Sequence, residues 1–109
     1  MADALVVKVY EVTRDFPTEE RFGLTIQLRR EAVSVCTNIV EGCSRRTERD
    51  DDRFLEVARG SACEVRYLLG LAGRLRFFKE EAAPGIQDEA DHVCRGLHAT
   101  IEGLGGQKE

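Results

Sequence analysis

The sequence predicts an all-α fold: an antiparallel, up-down four-helix bundle filling a single domain over residues 1–109. Apolar residues recur at intervals of four and three along most of the chain, the spacing of one helix face. Only two prolines occur, Pro17 and Pro84, and each stands where one helix should give way to the next. No stretch alternates apolar and polar residues between turn signals, so strands are not expected.

The first helix is expected over about residues 2–14, where Leu5, Val6, Val9, Val12 and Thr13 share a helical spacing. Asp15-Phe16-Pro17 stops it, because a proline disfavours helical geometry in the residue before it. Thr18 is then free to cap a second helix over about 19–44, with Glu19 and Glu20 near its positive end. Along that helix Leu24, Ile26, Leu28, Ala32, Val33, Val35, Cys36, Ile39, Val40 and Cys43 cover an arc of about 200°. A helix facing one core needs little more than about 100°. The surplus requires a second apolar contact, from the same bundle or from another subunit.

A third helix over about 48–75 opens on a Thr47-x-x-Asp50 signal, reinforced by Glu48, Asp51 and Asp52. Phe54, Ala58, Ser61, Val65, Leu68, Ala72 and Leu75 then repeat at fours and threes, the pattern of shallow, coiled-coil-like packing. Ala58, Gly60 and Ser61 are small enough for a neighbouring helix to come close. Gly60, Gly70 and Gly73 each cost about 1 kcal/mol of helix propensity, a cost that close packing or bending would offset. The connection that follows offers no glycine for a left-handed cap. Pro84 suits the first turn of a fourth helix over about 84–103, with Ile86, Ala90, Val93, Leu97, Thr100 and Leu104 on one face. Gly103, Gly105 and Gly106 are expected to end it.

Composition fits a folded chain: 42% hydrophobic and 33% charged residues, with a net charge of −4. No apolar run approaches the ~20 residues of a membrane span. Met1–Tyr10 carries Asp3 and Lys8 and has no long apolar region, so it does not read as a secretory signal. The cytoplasm is the expected location. Cys36, Cys43, Cys63 and Cys94 show no CxxC spacing and lie within apolar helical patterns, which suits reduced, buried thiols.

No reaction is legible. HExxH, GxSxG and phosphate-binding glycine loops are absent from the sequence. Cys36 and Cys43 share a face but stand about 10 Å apart along the helix, too far for a disulfide. Glu89-x-x-His92 supplies one Glu-x-x-His match with no second, and His92 and His98 read as surface residues. The expectation is a protein without catalytic, cofactor-binding or metal-binding residues.

Two polar constellations remain. On the second helix Gln27, Glu31, Ser34, Asn38, Glu41 and Arg45 follow one another at fours and threes and so share a side. That stripe reads either as a solvated face or as a polar network at a helix or oligomer contact. Further on, Arg59, Arg66, Arg74, Arg76 and Lys79 face only Glu64 in their segment, a local balance of +4. The Arg45, Arg46, Arg49 and Arg53 run is cancelled by Glu48 and Asp50, Asp51 and Asp52. Charge runs of this kind usually coat a solvated helix; the alternative is a nucleic-acid patch.

Phe16-Pro17, Glu20, Phe22-Gly23-Leu24, Gln27, Arg29-Arg30, Ser34, Asn38 and Glu41-Gly42 form an ordered signature, continued by Phe54-Leu55, Ala58, Gly60-Ser61 and Glu64. It resembles that of the small bacterial four-helix-bundle proteins first noticed in intervening sequences of large-subunit ribosomal RNA genes. The resemblance implies a homopentameric ring and favours the network reading of Asn38 and Glu41. It implies no agreed activity. Relatives commonly begin further upstream, with a Trp in the opening turns, so the first helix here is expected to be short. They also often have a glycine near the position of Arg76.

The accessory variability determinant of diversity-generating retroelements is similar to this fold and works as a basic pentamer with a reverse transcriptase and its template RNA. Here five copies at −4 each would carry −20, which opposes phosphate binding over the whole particle. The resulting expectation is a non-catalytic oligomeric scaffold or adaptor for an unidentified macromolecular partner. The alternative is an RNA-binding accessory factor, acting with a reverse transcriptase or ribosomal RNA through Arg59, Arg66, Arg74 and Arg76.

Overall fold

In a computed structural model, described over residues 2–44 and 48–107 with side chains at 2–44 and 53–103, the chain is all-α. Four helices are present among the described residues: α1 (Ala2–Thr13), α2 (Leu24–Ser44), α3 (Glu48–Arg74) and α4 (Ala83–Gln107). Short 3-10 turns at Thr18–Glu20 and Glu80–Ala82 lead into α2 and α4. Each helix packs on two others, α2 on α1 and α3, and α4 on α3 and α1. The core between them holds Leu5, Val9, Leu28, Val35, Val65, Leu69 and Ile86, all but fully buried. Their burial follows from apolar residues repeating on one face of each helix.

The entry into α2 differs from the expected one. Its first residue is Leu24, not residue 19, and Thr18 makes no capping hydrogen bond. The Glu20 carboxylate caps the helix instead: Oε1 accepts from the Leu24 backbone N–H at 3.1 Å. That satisfies one of the unpaired donors at the helix start and places a negative charge on the positive end of the dipole. Gly23 makes the loop-back fit, because a Cβ there would lie 2.9 Å from the Glu20 Oε1.

The exit from α3 also departs from expectation. A left-handed cap is present although no glycine occupies it: Arg76 has φ 62°. The Phe77 N–H bonds the Ala72 carbonyl at 3.0 Å and the Arg76 N–H bonds that of Gly73 at 3.1 Å, the paired bonds of a Schellman cap. Leu75, expected to continue the buried seam, lies beyond the end of α3 and is exposed. The turn is held by aromatic packing. Phe16, delivered by the bend before Pro17, meets Phe77 at 5.5 Å and stacks on Phe78 at 6.2 Å. Replacing Arg76 with Gly should raise stability by about 1 kcal/mol, since a side chain in this region costs roughly that much. A urea midpoint at fixed protein concentration reads this out; a lower midpoint would mean the Arg76 side chain contributes more than its backbone costs.

At the far end α4 runs to Gln107, past Gly103, Gly105 and Gly106, which were expected to stop it. Glycine lowers helix propensity but has no steric bar to helical angles, so a helix already formed can continue through it. Pro84 occupies the first turn, where its missing N–H leaves no intrahelical bond unmade. Thr47, the expected cap of α3, lies outside the described residues.

Candidate functional site: a polar clip and an uncovered apolar edge

The signature residues converge on α2. At its contact with α3, Asn38 Nδ2 donates to the Ser34 carbonyl at 2.8 Å and approaches Ser34 Oγ at 3.1 Å. Ser34 Oγ in turn lies 3.0 Å from Ser61 Oγ on α3, so one hydroxyl donates to the other. Ser61 is buried, Ser34 and Asn38 are half-buried, and Ala58 and Ala62 beside them are fully buried. Small residues on α3 let the helix come close, and the polar chain ties the two backbones where it does. Of the remaining stripe, Gln27 and Glu41 are exposed and Glu31 is half-buried. Gly42 is buried. Arg45 lies outside the described residues.

A second clip, between α1 and α2, did not emerge from sequence spacing. Arg29 Nε donates to Thr13 Oγ1 at 2.8 Å, and Thr13 Oγ1 donates to the Val9 carbonyl at 2.7 Å. The Arg29 guanidinium also lies 4.5 Å from the centre of the Tyr10 ring, a cation–π contact. The sequence signal was the buried-face position of Thr13, which needs a partner for its hydroxyl once inside.

The apolar arc of α2 is only partly covered. Leu28, Ala32 and Val35 are buried, while Leu24, Cys36 and Ile39 are half-buried. Ile26, Val33 and Val40, seven residues apart, form an exposed row, with Val40 at 67%. On α1, Val7 and Tyr10 are exposed as well, at 56% and 38%. The Asp3–Cys36 and Tyr10–Arg29 contacts place Val7 about level with Val33 on the neighbouring helix. Phe22, in the turn before α2, is 86% exposed. α2 packs on both α1 and α3 within its own chain, and that packing leaves this row uncovered.

The arginines expected to escape neutralisation divide. Arg59 pairs with Glu56 at 2.6 Å, and Arg66 pairs with Asp91 on α4 at 3.3 Å, so neither stands apart from acids. The helical period brings Glu56 to one and the α4 packing brings Asp91 to the other. Arg74 and Arg76 line a groove of about 560 Å³ with Lys79, but Glu80 and Glu81 line it too. Gly73, Phe78 and Ala83 complete its lining.

The four cysteines, all expected to be reduced and buried, are free thiols that differ in burial. Cys94 is buried, Cys36 is half-buried, and Cys43 and Cys63 are exposed. Burial pushes the Cys36 thiol up to about 11, helped by its hydrogen bond to Asp3 and that carboxylate's charge. Among the described residues no three His, Cys, Asp or Glu side chains gather as a metal site. No described helix is long and apolar enough to cross a membrane.

A family model described as "23S rRNA-intervening sequence protein" matches residues 1–99. The chain is similar to a crystal structure of a protein of unknown function from the S23 ribosomal protein family of Bacteroides thetaiotaomicron. The TM-score is 0.83 at 21% identity, covering 92% of this chain and 94% of that one. At that identity the likeness speaks for the fold. No curated protein matches the chain.

Proposed function

The chain belongs to the 23S rRNA-intervening sequence protein family, and on that premise we propose that it is a non-catalytic scaffold that works by self-association. The unit is an antiparallel, up-down four-helix bundle; five copies close into a ring and present a surface to a macromolecular partner in the cytoplasm. The observation that carries this reading is the uncovered row Ile26, Val33 and Val40, continued by Val7 and Tyr10 on α1. An apolar row of this length along one edge suits a subunit contact, and a heptad spacing suits a helix from a second copy. Phe22 projects from the same helix entrance and would anchor in the neighbouring subunit.

A second reading, RNA binding beside a reverse transcriptase or ribosomal RNA, draws on the groove lined by Arg74, Arg76 and Lys79. Charge weighs against it. The chain carries −4, Arg59 and Arg66 are already paired, and Glu80 and Glu81 share the groove with its cations. Titration with an unrelated single-stranded RNA at physiological salt should give a dissociation constant weaker than about 10 μM. Submicromolar binding would overturn the scaffold reading. In that event, removing Arg74 or Arg76 should flatten the log–log salt slope by about one unit if the arginine removed engages a phosphate.

A further inference from the structure

Where α3 meets α4, successive turns of the two helices face each other. Arg66 Nη1 meets Asp91 Oδ1 at 3.3 Å. One turn earlier on α3 stands Cys63, and one turn later on α4 stands Cys94. The Cys63 side chain lies near enough to Cys94 to disfavour its thiolate. Another turn along come Arg59 and His98. Arg59, Cys63, Arg66, Cys94, Arg95 and His98 line one surface cavity of about 290 Å³, so both sulfurs border the same opening.

We propose that Cys63 and Cys94 form a reversible intrachain disulfide, made when a peroxide enters this cavity. The two sulfurs have different parts. Cys63 is exposed, whereas Cys94 is 5% exposed. Burial pushes the Cys94 thiol up to about 11; Arg66 opposes the rise, while Cys63 and Asp91 add to it. Cys94 is therefore held protonated near neutral pH, and Cys63 is the sulfur that an oxidant reaches first.

The Cys63 thiolate attacks one peroxide oxygen. An S–O bond forms as the O–O bond breaks, and the departing hydroxide takes a proton to become water. The Cys94 sulfur then attacks the sulfenic sulfur. The S–S bond forms, the S–O bond breaks, and the hydroxyl leaves with the Cys94 proton as a second water. The two thiols give up two electrons and the peroxide accepts them. A dithiol reductant restores both thiols. The bond would fix α3 to α4 on the side facing away from the α1–α2 edge, because α2 contacts α1 and α3 while α4 contacts α3 and α1. The crosslink needs only one chain, so its test does not depend on the self-association reading.

Treatment of the whole protein with hydrogen peroxide, followed by alkylation and peptide mass mapping, tests this. The expected product is a Cys63–Cys94 crosslink within one chain, lighter by two hydrogens and reversed by dithiothreitol. Cys36 and Cys43 should remain alkylatable. Cys63→Ser and Cys94→Ser should each abolish the crosslink, and in Cys94→Ser a dimedone adduct should appear at Cys63. Circular dichroism of both variants guards against simple misfolding, and Cys43→Ser should behave as the parent. Over-oxidation of Cys63 in the parent chain without a crosslink would overturn the proposal. So would a parent chain whose four thiols all stay alkylatable, or whose only crosslinks join separate chains.

Discussion

Val33→Glu should take the protein apart. In the isolated chain the Val33 side chain is already partly exposed, so the substitution should leave the folded protomer within about 0.5 kcal/mol of the parent. At a subunit contact the same carboxylate would lose its water without gaining a partner, costing several kcal/mol per chain. The expected result is a shift from the assembled species to a particle of one chain, 12.2 kDa, with an unchanged helical spectrum. Val40→Glu, one heptad along, should act in the same way. An assembly that tolerates both substitutions would place the contact elsewhere on the molecule.

Asn38→Ala carries the second large effect, and it acts within one chain. The substitution removes the Nδ2 donor from the Ser34 carbonyl and from Ser34 Oγ, next to the buried Ser61 hydroxyl. Leaving half-buried polar groups without that donor should cost about 1–3 kcal/mol. A fall in the denaturant midpoint at fixed protein concentration would show it. A change within about 0.5 kcal/mol would mean that water replaces the Asn38 donor and the polar chain holds nothing.

Much of the fold was legible because its signals are periodic. The α3 run Ala58, Ser61, Val65, Leu68 and Ala72 is buried, as are Ile86, Ala90, Val93 and Leu97 on α4. Helix ends were harder to read. Thr18 is a common cap residue, yet the Glu20 side chain reaches Leu24 because Gly23 leaves it room, a three-residue arrangement that no single propensity encodes. Arg76 takes a left-handed angle because Phe77 and Phe78 are drawn onto Phe16, so tertiary packing overrides local preference.

The candidate site divides along the same line. Spacing put Ser34 and Asn38 on one side of α2, but their partner Ser61 comes from another helix. The Arg29–Thr13 clip joins residues 16 apart, and the pairing of Arg66 with Asp91 spans 25, so neither follows from a helical period. The apolar excess on α2 was plain in the sequence. That it stays uncovered at Ile26, Val33 and Val40 depends on where α1 and α3 come to rest.

The central claim is self-association through that uncovered edge, and the mass of the parent protein in solution tests it most directly. Multi-angle light scattering at micromolar concentration should give about 61 kDa, five chains of 12.2 kDa each. A uniform 12.2 kDa species under the same conditions would contradict the account.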